Sequence, residues 1–172
     1  PGQRKILYAC FKKKLTNEIK VAQLSGYVSE HTAYHHGENS LQETIINMAQ
    51  NFVGSNNMNL LEPCGQFGTR LQGGKDSSSP RYIYTKLSNY SSQLFNSNDL
   101  PILEYQNEEG QDIEPKYYIP TLPLVLINGS EGIGTGFSSK IPRYNPNDLV
   151  KYIRQKIDGV SKEHNITLEP WY

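Results

Sequence analysis

Residues 19–52 read IKVAQLSGYVSEHTAYHHGENSLQETIINMAQNF, and the periodicity of this stretch decides the fold. Leu41, Ile45, Met48, Ala49 and Phe52 fall at i, i+4, i+7, i+8 and i+11, which is the apolar stripe of an amphipathic helix. Ser40-Leu-Gln-Glu43 has the pattern of a capping box at its start. Upstream, Val21, Leu24 and Val28 at i, i+3 and i+7 predict a helix over roughly residues 19–33. Only the short Tyr34-His35-His36-Gly37 turn separates the two, so the pair reads as helix-turn-helix. A third helix is expected over residues 1–14, where Ile6/Cys10 and Leu7/Phe11 are i,i+4 pairs. Its lysines, Lys12 to Lys14, gather at the C-terminal end, where the helix dipole favours cations.

Downstream the texture changes. Residues 58–76 combine glycines with hydrophobic alternation and predict a hairpin with a flexible tip. A helix-turn-helix followed by such a wing is a winged helix. Ser79 as N-cap and Pro80 at the first helical position predict another helix, with Ile83, Leu87, Tyr90 and Leu94 on its buried face. Residues 96–116 are polar and acidic and read as a surface excursion. Residues 121–127 (TLPLVLI) read as a buried strand running into the Gly-rich loop 129–136. Asn147 or Asp148 opens a last amphipathic helix through Leu149, Ile153 and Ile157, stopped by Gly159. The expected class is α+β: a winged-helix domain over residues 1–120, then the beginning of a second domain over 121–172.

A chain of 172 residues with 36% hydrophobic content can bury a sizeable core. No run approaches the roughly 18 apolar residues of a membrane span. A start at Pro1 without Met leads us to expect a piece of a longer protein. Cys10 and Cys64 form neither a disulfide framework nor a metal-ligand pattern, as expected in a reducing, intracellular compartment. The net charge of zero hides a segregation. Residues 1–86 hold ten Lys/Arg against six Asp/Glu, and residues 87–120 hold one Lys against six acids. The basic N-terminal part, Arg4 and Lys5 included, therefore marks a phosphate-facing side.

Three places carry candidate chemistry. On the predicted helix, Tyr82 falls at the third position, beside Arg81 and near the positive end of the dipole. A phenol with a pKa of about 10 is a poor nucleophile at neutral pH, and both neighbours favour its phenolate. Tyr84 has nearly the same local surroundings. The Tyr34-His35-His36 turn with Ser40 offers free amides and polar side chains to a phosphate; a metal site and a plain structural turn are the alternatives. In the Gly129–Gly136 loop, Ile133 stands out among small residues, either as a core residue or as an apolar wedge that kinks DNA. Neither this loop nor Gly73-Gly-Lys75-Asp76 fits a nucleotide-binding pattern.

Taken together, PGQRKILYACFKK, IKVAQLSGYVSEHTAYHHGE, TIINMAQNFVGSNN, GQFGTRLQGGKDSSSPRYIYTKL, EPKYYIP and LINGSEGIGTGFSSKIP resemble the breakage-reunion region of eukaryotic-type type IIA DNA topoisomerases. The likeness covers about residues 1–160; a more distant one, to the gyrase A subunit, lies in the His-rich turn and the Gly-rich loop. The resemblance implies that Tyr82 rather than Tyr84 attacks a DNA phosphate, with Arg81 as its transition-state partner. It further implies that Tyr34, His35, His36 and Ser40 contact the cut strand and that Ile133 is the bending wedge. The implied activity is transient double-strand cleavage and religation of double-stranded DNA through a 5′-phosphotyrosyl link, serving ATP-dependent duplex passage by a homodimer in the nucleus. The resemblance places the Mg²⁺ ligands and the ATP site in domains outside this chain, and makes residues 121–172 the start of an α/β tower domain. Two rivals remain at this point: a winged-helix regulator that only binds DNA, and a partner-binding domain that uses the acidic segment 99–114.

Overall fold

Three helices build the core of the structure, a computed structural model that describes residues 1–159 and 167–172. They are α1 (Gly2–Lys13), α2 (Val21–His31) and α3 (Glu38–Ala49). Each turns its predicted stripe inward: Ile6 and Cys10, Val21, Leu24 and Val28, and Leu41, Ile45 and Met48 are all buried. Truncating a fully buried member such as Leu24 to Ala costs about 2–5 kcal/mol. Lys14 ends α1 in the left-handed conformation (φ 51°), and the Leu15 N–H reaches back to the Cys10 carbonyl at 3.0 Å. The helix α3 starts at Glu38 with Gly37 as its N-cap and no side-chain cap, so the expected capping box at Ser40 does not form. Ser40 lies inside the first turn, where its carbonyl accepts from the Thr44 hydroxyl (2.8 Å).

The helix expected over residues 80–94 is absent, and so is a self-paired hairpin over 58–76. Residues 80–82 form a turn, β2 (Tyr84–Thr85) follows, and only α4 (Ser91–Leu94) is helical. β2 pairs antiparallel with β1 (Ile19–Lys20), in the register Ile19–Thr85 and Lys20–Tyr84. Its other edge pairs with residues 61–64 through Tyr84–Cys64 and Leu61–Leu87 bridges. Ile83 and Thr85 are buried while Tyr84 is partly exposed, a period of two. Spacing at 83, 87, 90 and 94 fits a helix equally well, and long-range ladder bonds decide the matter. They also explain why α2 begins at Val21, since residues 19–20 belong to the sheet.

Residues 65–76 close into a loop around the buried side chain of Gln50, whose amide donates to the carbonyls of Phe67 (2.9 Å) and Gly74 (3.2 Å). Gly74 has φ +82°, and a Cβ there would lie 2.4 Å from the Gln50 amide nitrogen, so only glycine fits. The acidic excursion is more structured than its composition suggests. After a 3₁₀ turn at Ser97–Ile102, β3 (Tyr105–Glu108) and β4 (Gln111–Pro115) form a hairpin that buries Ile113 and Glu114 against α1.

Residues 121–127 are not a strand. α5 (Leu124–Asn128) is a short helix with Pro123 at its N-cap, and of its residues only Ile127 is buried. Pro120 and Pro123 withhold the N–H groups that a ladder would need. The Gly-rich segment is a hairpin rather than an open loop: β5 (Ser130–Gly134) pairs in unbroken register with β6 (Phe137–Ile141). Last comes α6 (Pro146–Ile157), capped by the Asn145 side chain on the Asn147 amide, as the sequence predicts to within two residues. Helices and small antiparallel sheets give an α+β fold.

Candidate functional site

Tyr82 sits on a turn pinned to the start of α2. Its N–H donates to the Ser79 carbonyl (2.9 Å), while the carbonyls of Pro80 and Ile83 accept from the amides of Ala22 (3.1 Å) and Val21 (3.0 Å). The dipole argument therefore changes owner: the positive helix end beside Tyr82 belongs to α2, not to a helix of its own. Tyr82 is 73% exposed although Ile83 and Val21 beside it are buried, and no described residue hydrogen-bonds its hydroxyl. Arg81 is exposed as well, its guanidinium carbon 5.8 Å from the centre of the Tyr82 ring. Tyr84, the sequence alternative, has its backbone locked into ladders on both edges.

The His-rich turn lies at the opposite end of α2. Eleven residues at 1.5 Å each separate the two, about 16 Å. Tyr34 packs against the core and meets His36 edge to face at 5.4 Å. His35 is exposed, and its Nε2 lies 2.7 Å from Oε1 of Glu108 on β3. Ser40 is exposed in the uncapped first turn of α3. Among the described residues, no three His, Cys, Asp or Glu side chains gather in a group that could hold a metal ion.

The structure separates Arg4 and Lys5 from the exposed basic residues. Lys5 turns into the protein, with Nζ 2.9 Å from Glu114 and donating to the Thr32 carbonyl at 2.6 Å. Arg4 donates to the Pro115 carbonyl (3.2 Å). Both tie α1 to β4, and the Lys5 ammonium, expected to face phosphate, is engaged in a part-buried ion pair. Ile133 is 90% exposed at the far end of the β5–β6 hairpin, which excludes packing in the core of this chain. The base of that hairpin is clamped: Asn128 exchanges hydrogen bonds with the Met58 backbone (both 2.9 Å). Asn57 donates to the carbonyls of Ile127 (3.0 Å) and Tyr144 (3.2 Å), and Arg143 donates to that of Asn128 (2.9 Å).

The pinned, exposed Tyr82 beside Arg81, the His-rich turn and the projecting β5–β6 hairpin lie in a chain that known proteins resemble closely. The family of DNA gyrase/topoisomerase IV A subunits matches residues 1–172. The chain belongs to this family. It is 63% identical over 173 residues to a protein named DNA topoisomerase 2 from Plasmodium falciparum (isolate K1 / Thailand), and 58% identical over 172 residues to DNA topoisomerase 2 from Candida albicans. Both alignments cover all of this chain but 12% of the relative, so the chain spans about an eighth of their length. A crystal structure described as the Plasmodium falciparum topoisomerase II DNA-binding, cleavage and re-ligation domain superposes with a TM-score of 0.95 at 62% identity. That match covers 100% of this chain and 23% of the other.

For a member of this family, three features escape a reading of the sequence. Phe137, just past the Gly-rich run, is 85% exposed on the hairpin that carries Ile133; its apolar character was the one signal that could have found it. The Asn57–Asn128 clamp was not legible, because Asn-Gly at 128–129 reads simply as a turn. The pairing of His35 with Glu108 joins residues 73 positions apart, and no local pattern announces it.

Proposed function

We propose that this chain is the DNA-cleaving segment of a type IIA topoisomerase, with Tyr82 as nucleophile. The observation that carries the reading is the exposed, unpartnered Tyr82 hydroxyl on a turn fixed by α2, with Arg81 beside it. Oη loses its proton and forms a bond to a backbone phosphorus, and the bond from that phosphorus to the 3′ oxygen breaks and leaves a 3′ hydroxyl. The product is a 5′-phosphotyrosyl link that keeps the phosphodiester energy, and religation is the reverse step. Arg81 offers fixed positive charge to the phosphoryl oxygens as charge builds. Tyr34, His35, His36 and Ser40 hold the cut strand, and Ile133 enters the duplex as the bending wedge. Arg4 and Lys5 serve indirectly, by holding α1 against β4 beneath this face.

Residues 1–120 form the winged-helix domain and residues 121–172 the beginning of the tower. In the whole protein, two such chains cut both strands of double-stranded DNA for ATP-dependent duplex passage, and the nucleus, where the eukaryotic substrate lies, is the expected compartment. By the family resemblance, Mg²⁺ and ATP are held by domains outside this chain, and no step above runs through either.

The test is a suicide substrate offered to the full-length protein. Tyr82→Phe should abolish the covalent complex while DNA binding stays within a few-fold. Arg81→Ala should lower cleavage by roughly 10²–10³, the usual loss for one charge-stabilising donor. Covalent complex surviving in Tyr82→Phe would move the nucleophile elsewhere, to Tyr84 first.

A further inference from the structure

The β5–β6 hairpin carries a second large apolar side chain that the wedge alone leaves unexplained. Phe137 is 85% exposed, and every residue of both strands is exposed. Its sequence neighbours are Gly136, Ser138 and Ser139, so it belongs to no apolar cluster of this chain. The register fixes where it points. Gly134 pairs with Phe137, and Ile133 pairs with Ser138. Paired residues share a face and successive residues alternate, so Ile133 and Phe137 project from opposite faces of one hairpin end. The partner of Phe137 is a glycine, which leaves its face of the ribbon without a competing side chain. Gly134 and Gly136 beside it also let the backbone come close to whatever it meets.

We propose that Phe137 is a second apolar DNA contact, packing on the sugar and base edges of the groove wall opposite the one that Ile133 enters. The inference rests on the wedge reading of the proposed function, and it commits to DNA by continuity: a groove that receives Ile133 receives the whole tip. A minor groove about 6 Å wide is too narrow for a two-stranded ribbon until the duplex is kinked open. Phe137 then fills space on the far side of the opened groove and holds the kink once Ile133 has made it. Apolar contact of this kind releases no counterions, so it adds affinity equally at every salt concentration, unlike the phosphate contacts of the helix-turn-helix face.

The experiment compares the parent full-length protein with Phe137→Ala, Phe137→Leu and Ile133→Ala on an end-labelled duplex. Affinity is measured across a salt series, and bending by energy transfer between the ends. Phe137→Ala should weaken binding about tenfold, with the slope of log affinity against log salt unchanged, and should reduce bending. Phe137→Leu should restore most of both losses, and melting should match the parent because the ring is exposed. Parent-like affinity and bending in Phe137→Ala, with bending lost in Ile133→Ala, would overturn the inference and leave the wedge standing. A loss confined to Phe137→Ala would overturn the inference as stated, because the kink that Phe137 holds is one that Ile133 makes. Parental behaviour in both would sink both readings. A change in oligomeric state without one in DNA binding would give the ring a protein partner instead and end the proposal.

Discussion

Lys5 and Glu114 bring two opposite charges largely out of water, 2.9 Å apart, with side chains 14% and 5% exposed. Such a pair is weak as a net source of stability, but removing one partner strands the other. Lys5→Ala should therefore destabilise the fold by about 3–5 kcal/mol, read by denaturant titration, because Glu114 is left buried and unpaired. Replacing both partners by apolar residues of similar volume, Lys5→Met with Glu114→Leu, should recover most of that loss. The salt dependence of DNA binding should be the same in the folded double variant as in the parent. A slope lower by about one would restore Lys5 to the phosphate-contacting set. Composition alone gave the opposite expectation, since it counts a lysine without showing where its ammonium ends. Cys10 shows the same limit in a milder form: burial pushes its thiol up to about 12, which suits an inert core residue.

At the scale of elements, the β5–β6 hairpin depends on its base. Asn128 is joined to Met58 by two side-chain bonds, and Gly129 (φ +69°) passes so close that a Cβ would lie 2.7 Å from the Ile141 carbonyl. Asn128→Ala should cost about 1–3 kcal/mol for the backbone groups it leaves unpaired. It should also broaden the distribution of end-to-end distances in bound DNA, because the wedge is no longer held in one direction. A distribution as narrow as the parent's, at reduced melting temperature, would show that the clamp stabilises the fold without aiming the hairpin. The three core helices and α6 were legible because an apolar stripe needs no information from far along the chain. The sheet around β2 and the helix α5 were not. Residues 83–94 satisfy both a helical spacing and a two-residue alternation, and only the pairing with residues 19–20 and 61–64 selects between them. The site followed the same division. Arg81 and Tyr82 could be read as neighbours in sequence, but the helix end that faces them came from α2, some sixty positions away.

For the whole molecule, the chain spans about an eighth of the length of its relatives. Because the resemblance places the Mg²⁺ ligands in another domain, the 172-residue chain on its own should leave supercoiled DNA uncut, with or without Mg²⁺. Its binding should be weak and fall steeply with salt, because phosphate contacts dominate. Metal-dependent nicking by the purified chain would overturn this and require ligands within it. The acidic excursion, which the charge count set apart from the basic half, is in fact folded onto it through Lys5 and His35.

That last contact bears on what a DNA phosphate would meet at His35. His35 already has an anion at 2.7 Å, the carboxylate of Glu108. A DNA phosphate arriving at His35 exchanges one anion for another and pushes a carboxylate back into water. In the proposed complex the site would trade partners instead of filling a vacancy. If His35 contacts a DNA phosphate as proposed, the hairpin that supplies Glu108 acts as a resident stand-in for the strand.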